Sequence, residues 1–159
     1  MVRLGVVSDS HNSQFWLERF AAKCAKEQYA CVFHLGDLYG DARWLEKHID
    51  RPLIAVTGNC DYFTKRGASM ARASFEGRQL IAVHGHMQNV KYGYDQLSYY
   101  AEDAGAEIAL FGHTHEPFAG WVGRVLLFNP GALMDGCYGE LLLDGARMVP
   151  YLKRLDEEE

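Results

Sequence analysis

The chain has 159 residues, 48 % of them hydrophobic, and a formal net charge of −5. That length and apolar content suit one folded domain, 1–159, and exclude a disordered chain. No apolar run approaches the roughly 18–20 residues of a membrane span. No basic stripe marks a groove for long nucleic acid either; "TKRG" (64–67) is a small local exception, and the acidic "DEEE" tail (156–159) reads as a solvated end. The four cysteines, Cys24, Cys31, Cys60 and Cys137, form no CxxC pair, and "MVRLGVVSDSH" lacks a leader layout. Reduced thiols in a cytoplasm are the expectation.

In chain order, residues 2–8 read as a buried strand, apolar and β-branched. A helix is predicted over 12–26, with an apolar stripe of Phe15, Trp16, Leu17, Phe20, Ala21 and Cys24. "ACVFHLGDL" is a second short strand entering a turn, "DARWLEKHI" a short helix and "RPLIAVTGNCD" a third strand. Strand and helix thus alternate through the first 60 residues, the pattern of a parallel sheet. The second half differs. "ARASFEGRQLIAVHGH" predicts two strands turning at Glu76-Gly77, "YDQLSYYAEDAG" a helix closed by Gly105, and "EIALFGH" another strand. "FAGWVGRVLLFNPG" and "GELLLDGARMVPYL" read as hairpins, the latter turning at Asp144-Gly145. The expected fold is α/β: two facing mixed β-sheets, a sandwich, flanked by helices.

Five polar loops each follow a strand-like run: "SDSH" (Asp9, His11), "HLGDL" (Asp37), "TGNCD" (Asn59), "AVHGH" (His84) and "FGHTH" (His113, His115). Ligands in α/β folds gather beyond the carboxyl ends of strands. Glycine beside four of the five loops allows tight turns or close backbone approach. On an extended segment, residues i and i+2 point the same way, so His113 and His115 would face one side. The joint order points to a cluster of nitrogen and oxygen ligands. His48 reads as exposed, while His34 and His86, beside the motifs, read as supporting or structural residues.

The order Asp-x-His, Gly-Asp, Gly-Asn, Gly-His, Gly-His-x-His over residues 9–115 resembles the motif set of the calcineurin-like metallophosphoesterases. Chain length and "TGNCD" look like the small capless phosphodiesterase branch of bacteria and archaea. The resemblance implies that Asp9, His11 and His115 bind one divalent ion, that Asn59, His84 and His113 bind another, and that Asp37 bridges both. It also fits the closing hairpins to the family's second sheet. The implied cofactors are two divalent ions, Mn²⁺ first, with Fe, Zn²⁺ or Ni²⁺ as alternatives; imidazole and oxygen ligands without thiolate argue against closed structural zinc.

The implied activity is hydrolysis of a small phosphodiester by a metal-bridging hydroxide. Two ions bring +4, Asp9 and Asp37 return −2, and a hydroxide removes one more, leaving about +1 to attract phosphate. Asn59, Cys60 and His84 are the residues expected nearest the chemistry. Many relatives carry His after the motif Asn, and here that position is Cys60, either a poor substitute for an imidazolium or a buried inert thiol. Asp61 and His86 are candidates for specificity by proximity in sequence. The expected partner is a small phosphodiester, with neither extended nucleic acid nor membrane and with homo-oligomerisation open. The alternative is a catalytically silent scaffold, as in the retromer subunit of this fold.

Overall fold

The computed structural model describes residues 1–61 and 67–157. Lys65 and Arg66 of the local basic run, and the last two residues of the acidic tail, lie outside the described residues. The elements are β1 (Val2–Val7), α1 (Gln14–Lys26), β2 (Cys31–His34), α2 (Tyr39–His48), β3 (Leu53–Ala55), β4 (Met70–Phe75), β5 (Arg78–Val83), α3 (Asp95–Asp103), β6 (Ile108–Leu110), β7 (Phe118–Val122), β8 (Val125–Asn129), β9 (Cys137–Asp144) and β10 (Arg147–Arg154). Among the described residues, three single turns of 3-10 helix lie between them and a fourth follows β10.

Ten strands form two five-stranded mixed sheets, ordered β10-β9-β1-β2-β3 and β4-β5-β6-β8-β7. In the first, β1, β2 and β3 run parallel, while β9 and β10 add antiparallel beside β1. In the second, β5, β6 and β8 are parallel, with antiparallel β4 and β7 at the edges. One expectation is corrected. Of the two closing hairpins, β7–β8 joins the second sheet and β9–β10 extends the first. Leu141 and Leu143 of β9 face the interior between the sheets, so this strand covers an edge of β1 that a wholly parallel unit would leave open.

Period-two alternation explains how two sheets and three helices share one chain. Leu4, Val6, Phe33, Leu80, Ala82, Ile108, Leu110, Leu126 and Phe128 meet in the sandwich interior. Their neighbours point outward. Val7 and Val32 pack under Leu17, Phe20 and Cys24 of α1 and Leu45 of α2. Ile81, Val83, Ala109 and Leu127 pack under Leu97 and Ala101 of α3. The stripe predicted for α1 was too wide. Phe15 is 54 % exposed, with the Arg19 guanidinium 3.5 Å from its ring centroid. In α3 the two tyrosines, Tyr99 and Tyr100, are on the surface.

Turn chemistry matches the punctuation read in the sequence. Glu76 and Gly77 both have positive φ between paired Phe75 and Arg78, the geometry of a two-residue hairpin turn. Gly105 has φ +76, and the Gly105 and Ala106 amides donate to the carbonyls of Glu102 and Ala101, closing α3. The final hairpin turns one residue later than expected, at Gly145-Ala146, because Asp144 pairs with Arg147. No helix among the described residues is long and apolar enough to cross a membrane.

Glu140 on β9 is a buried carboxylate held by two partners: the Tyr29 hydroxyl at 2.5 Å and the Lys153 ammonium at 2.8 Å. Burial and then the Glu140 hydrogen bond push the Tyr29 phenol far above its ordinary pKa. Tyr29→Phe is expected to cost about 1–3 kcal/mol, since Glu140 loses a donor where water cannot replace it. A thermal melt checks this; an unchanged Tm would show that Lys153 alone satisfies the carboxylate.

Candidate metal centre

All five polar loops converge at one rim of the sandwich, and their backbone is costly. Among the described residues, eight non-glycine residues have positive φ. Six of them stand in these loops: Asp9, His11, Asn12, Asp37, His113 and His115. Left-handed backbone at non-glycine residues costs on the order of 1–3 kcal/mol each and persists only where surroundings impose it. Motif glycines make the close approach possible. A Cβ on Gly112 would lie 2.1 Å from Ser8 Oγ, and one on Gly58 would lie 2.5 Å from the Asp37 amide nitrogen.

Asp9 is 1 % exposed, and its two oxygens have different surroundings. Oδ2 accepts the Ser8 hydroxyl at 2.7 Å and the His113 backbone N–H at 3.0 Å. Oδ1 is left facing His115 Nε2 at 3.3 Å and His84 Nε2 at 3.8 Å. The carboxylate is thus held by one oxygen and presents the other.

His84 is also buried. Its Nδ1 lies 2.8 Å from the Leu35 carbonyl, which can only accept, so Nδ1 carries the proton. Its Nε2 faces Asn59 Oδ1 (2.9 Å) and His113 Nδ1 (3.2 Å). The His113 pKa is lowered to about 4, chiefly by burial and then by His84 and Lys91, so this ring is neutral and able to donate a lone pair at ordinary pH.

Asp37 is 1 % exposed, yet neither carboxylate oxygen has a hydrogen-bond partner of good geometry among the described residues. The His11 ring and the Cys60 thiol crowd it. A buried, unsatisfied anion is expensive unless a cation completes it. Ligand atoms of Asp9, His11 and His115 lie within 4.8 Å of one another, and so do those of Asp9, Asp37 and His84. Carboxylate and imidazole donors, one orphaned anion and no thiolate in either group fit divalent cations.

His113 and His115 both reach this cluster, but not on the extended backbone that the sequence suggested. Both have positive φ, and the Thr114 amide donates back to the Gly112 carbonyl at 2.9 Å. This tight turn sends His113 toward His84 and His115 toward Asp9 and His11, whose ring centroid is 5.3 Å from that of His115.

Beneath the first loop lies a polar network that the sequence did not reveal. Gly36 N–H donates to His34 Nδ1 at 3.2 Å, so the ring's proton is on Nε2, 3.0 Å from Ser10 Oγ. The Ser10 hydroxyl donates to Asp41 Oδ2 at 2.6 Å, and the same oxygen accepts the Asn12 amide at 2.8 Å. His34, Ser10 and Asp41 are all buried, and burial drives the His34 pKa down. His34 is therefore a supporting residue. Asp41 carried no signal in the sequence beyond its place at the start of a helix.

Other candidates are redistributed. Asp61 is consumed by backbone, accepting the Tyr39 and Gly58 amides at 2.7 Å each, which ties α2 to the Asn59 loop. His86 stands 5.5 Å from His84 and 6.0 Å from His113 between ring centroids, with a buried Nδ1 that has no partner among the described residues. His48 is exposed and stacks on Trp44. Cys60 is exposed, so it is not the buried thiol that was one of its two readings. The Asp37 carboxylate, first, pushes its thiol up to about 11 and keeps it protonated.

Residues 2–140 match the calcineurin-like phosphoesterase superfamily domain, and the chain belongs to that superfamily. It is 27 % identical over 154 residues to phosphodiesterase YfcE of Escherichia coli K12, covering 84 % of this chain and 80 % of that protein. A predicted phosphoesterase from Streptococcus pneumoniae TIGR4 superposes with a TM-score of 0.82 at 26 % identity, over 98 % of this chain and 90 % of the other. Vps29 of Entamoeba histolytica, a single mutant, superposes equally well (TM-score 0.82) at 18 % identity, over 95 % and 91 % of the chains, a likeness of fold alone.

Proposed function

We propose that the protein is a two-metal phosphodiesterase acting on a small phosphate ester. The carrying observation is the buried Asp37 carboxylate, without a well-formed hydrogen bond among the described residues, in one of two overlapping groups of carboxylate and imidazole donors that share Asp9. Asp9, His11 and His115 would hold one ion, Asn59, His84 and His113 the other, and Asp37 would touch both. Mn²⁺ suits these donors best, with Fe, Zn²⁺ or Ni²⁺ as alternatives. When bound, such a pair lowers the pKa of a shared water and neutralises charge on phosphoryl oxygens.

The chain's own residues prepare that chemistry. Ser8 and the His113 amide fix Asp9, the Leu35 carbonyl sets the His84 tautomer, and Cys60 adds a neutral thiol beside Asp37. A protonated thiol stabilises a dianionic phosphoryl group far less than an imidazolium would, so the reading favours monoanionic diesters over monoesters. Cys60→His is expected to narrow the gap between activated diester and alkyl monoester turnover. A wild-type protein that prefers unactivated monoesters would contradict this.

The test of the reading is metal content of the purified protein, with Mn²⁺-stimulated turnover of bis(p-nitrophenyl) phosphate. Two ions per chain and turnover support it. A chain that binds no ion and hydrolyses no ester is the silent scaffold. The buried network yields a further expectation. Ser10→Ala leaves His34 and Asp41 without their shared partner and frees the strained 9–12 loop. Mn²⁺ affinity at the Asp9–His11 site should fall about 10–100-fold, as for other partners that orient ligands. An unaltered titration in the folded variant would show that the loop holds itself.

A further inference from the structure

The seven donors leave unexplained a cleft of about 420 Å³ lined by Val90, Lys91, Gly93, Tyr94, Thr114 and Glu116. It adjoins the centre: Thr114 sits between His113 and His115, and the Lys91 charge acts on the His113 ring. Its back wall is firm. Tyr94 packs against Phe118 and Phe111 at 4.6 and 5.2 Å between ring centroids. Asn129 Nδ2 donates to Thr114 Oγ1 at 3.0 Å. Its two charged side chains, by contrast, are committed to nothing. Lys91 and Glu116 are exposed, and neither side chain has an ion-pair or hydrogen-bond partner among the described residues.

Resting on the phosphodiesterase reading, we propose that this cleft binds an alcohol arm of the substrate and selects a hydroxylated arm, of glycerol or monosaccharide size, over an apolar one. A free ammonium and a free carboxylate in one small cleft are poorly matched to a single charge of either sign, since each ion would attract with one wall and repel with the other. Hydroxyl groups satisfy both, accepting from Lys91 and donating to Glu116. An apolar arm would strip water from two charges and return no hydrogen bond. The volume lies in the lower range of small-molecule sites, enough for a sugar-sized group.

The test uses the full chain loaded with Mn²⁺ and two p-nitrophenyl diesters that differ only in the second arm, ethyl or 2,3-dihydroxypropyl. The wild type is expected to favour the dihydroxypropyl ester about tenfold in kcat/KM, mainly through KM, each hydrogen bond to a charged group contributing on this scale. Glycerol phosphate should likewise compete better than ethyl phosphate. In Lys91→Leu and Glu116→Leu, both surface changes, the preference should fall toward 1. Equal kcat/KM values in the wild type, or variants that retain the preference, overturn the assignment. A wild-type protein that hydrolyses neither diester overturns the phosphodiesterase reading itself, and this assignment with it.

Discussion

Asp37→Asn is expected to have opposite effects on the metal-free and metal-loaded protein. With no cation bound, the wild-type carboxylate is a buried anion without a well-formed hydrogen bond among the described residues, beside His11 and Cys60. A neutral amide of the same shape removes that burden, so the apo variant should melt higher by roughly 1 kcal/mol of stability. In the loaded protein the same change removes the anion that would touch both ions. Mn²⁺ content should drop below two per chain, and diester turnover should fall by at least about 10³-fold, beyond the 10–100-fold typical of outer partners. Melting curves with chelator and with Mn²⁺ read the two signs. A variant that loads two ions and turns over normally would remove Asp37 from the bridging position, whatever its apo stability.

The parts of this protein that were legible in sequence were those governed by local rules. The apolar, β-branched run at residues 2–8 announced a buried strand, and in the structure alternation puts Leu4 and Val6 on one buried face of the sheet and Val7 on the other. Gly105 and the Glu76-Gly77 pair announced their turns because positive φ has few suitable residues. Strand partnership was less legible. Whether β9 and β10 join the first or second sheet depends on contacts more than a hundred residues apart, such as Leu4 with Leu141, and both sheets offer apolar edges.

At the site, the ligand candidates were visible because polar residues interrupt apolar runs at five strand ends. Their conformation was not. Residue type alone did not show that His113 and His115 would take left-handed backbone in place of the extended segment expected. Nor did it show that Ser10 would link His34 to Asp41. That bond needs β1, β2 and α2 brought together, and a serine between an aspartate and a histidine is common. The exposed state of Cys60 belongs with these, since burial of a loop thiol is decided by packing from elsewhere.

The turn at Thr114 gives the last prediction its form. His113 Nδ1 lies 3.2 Å from His84 Nε2, whereas His115 Nε2 lies 3.3 Å from Asp9 Oδ1. If each ring serves the donors it faces, the two alanine variants should fail differently. His115→Ala should weaken the ion held with Asp9 and His11, and His113→Ala the ion held with Asn59 and His84. Each site keeps its remaining donors and Asp37, so Mn²⁺ titration of either apo variant should show one tight and one weak site. The weak site should lose more than the roughly 10–100-fold seen when outer partners are removed. The two variants also differ without metal. His115 is partly exposed, so its removal should leave the apo melt unchanged, whereas His113 also bonds to buried His84 and its loss should lower it. Crystals grown at limiting Mn²⁺ would show which ion is depleted. If both variants lose the same ion, the rings share a metal, and the division of the seven donors would have to be redrawn around Asp9 and His84, whose carboxylate and imidazole already stand 3.8 Å apart.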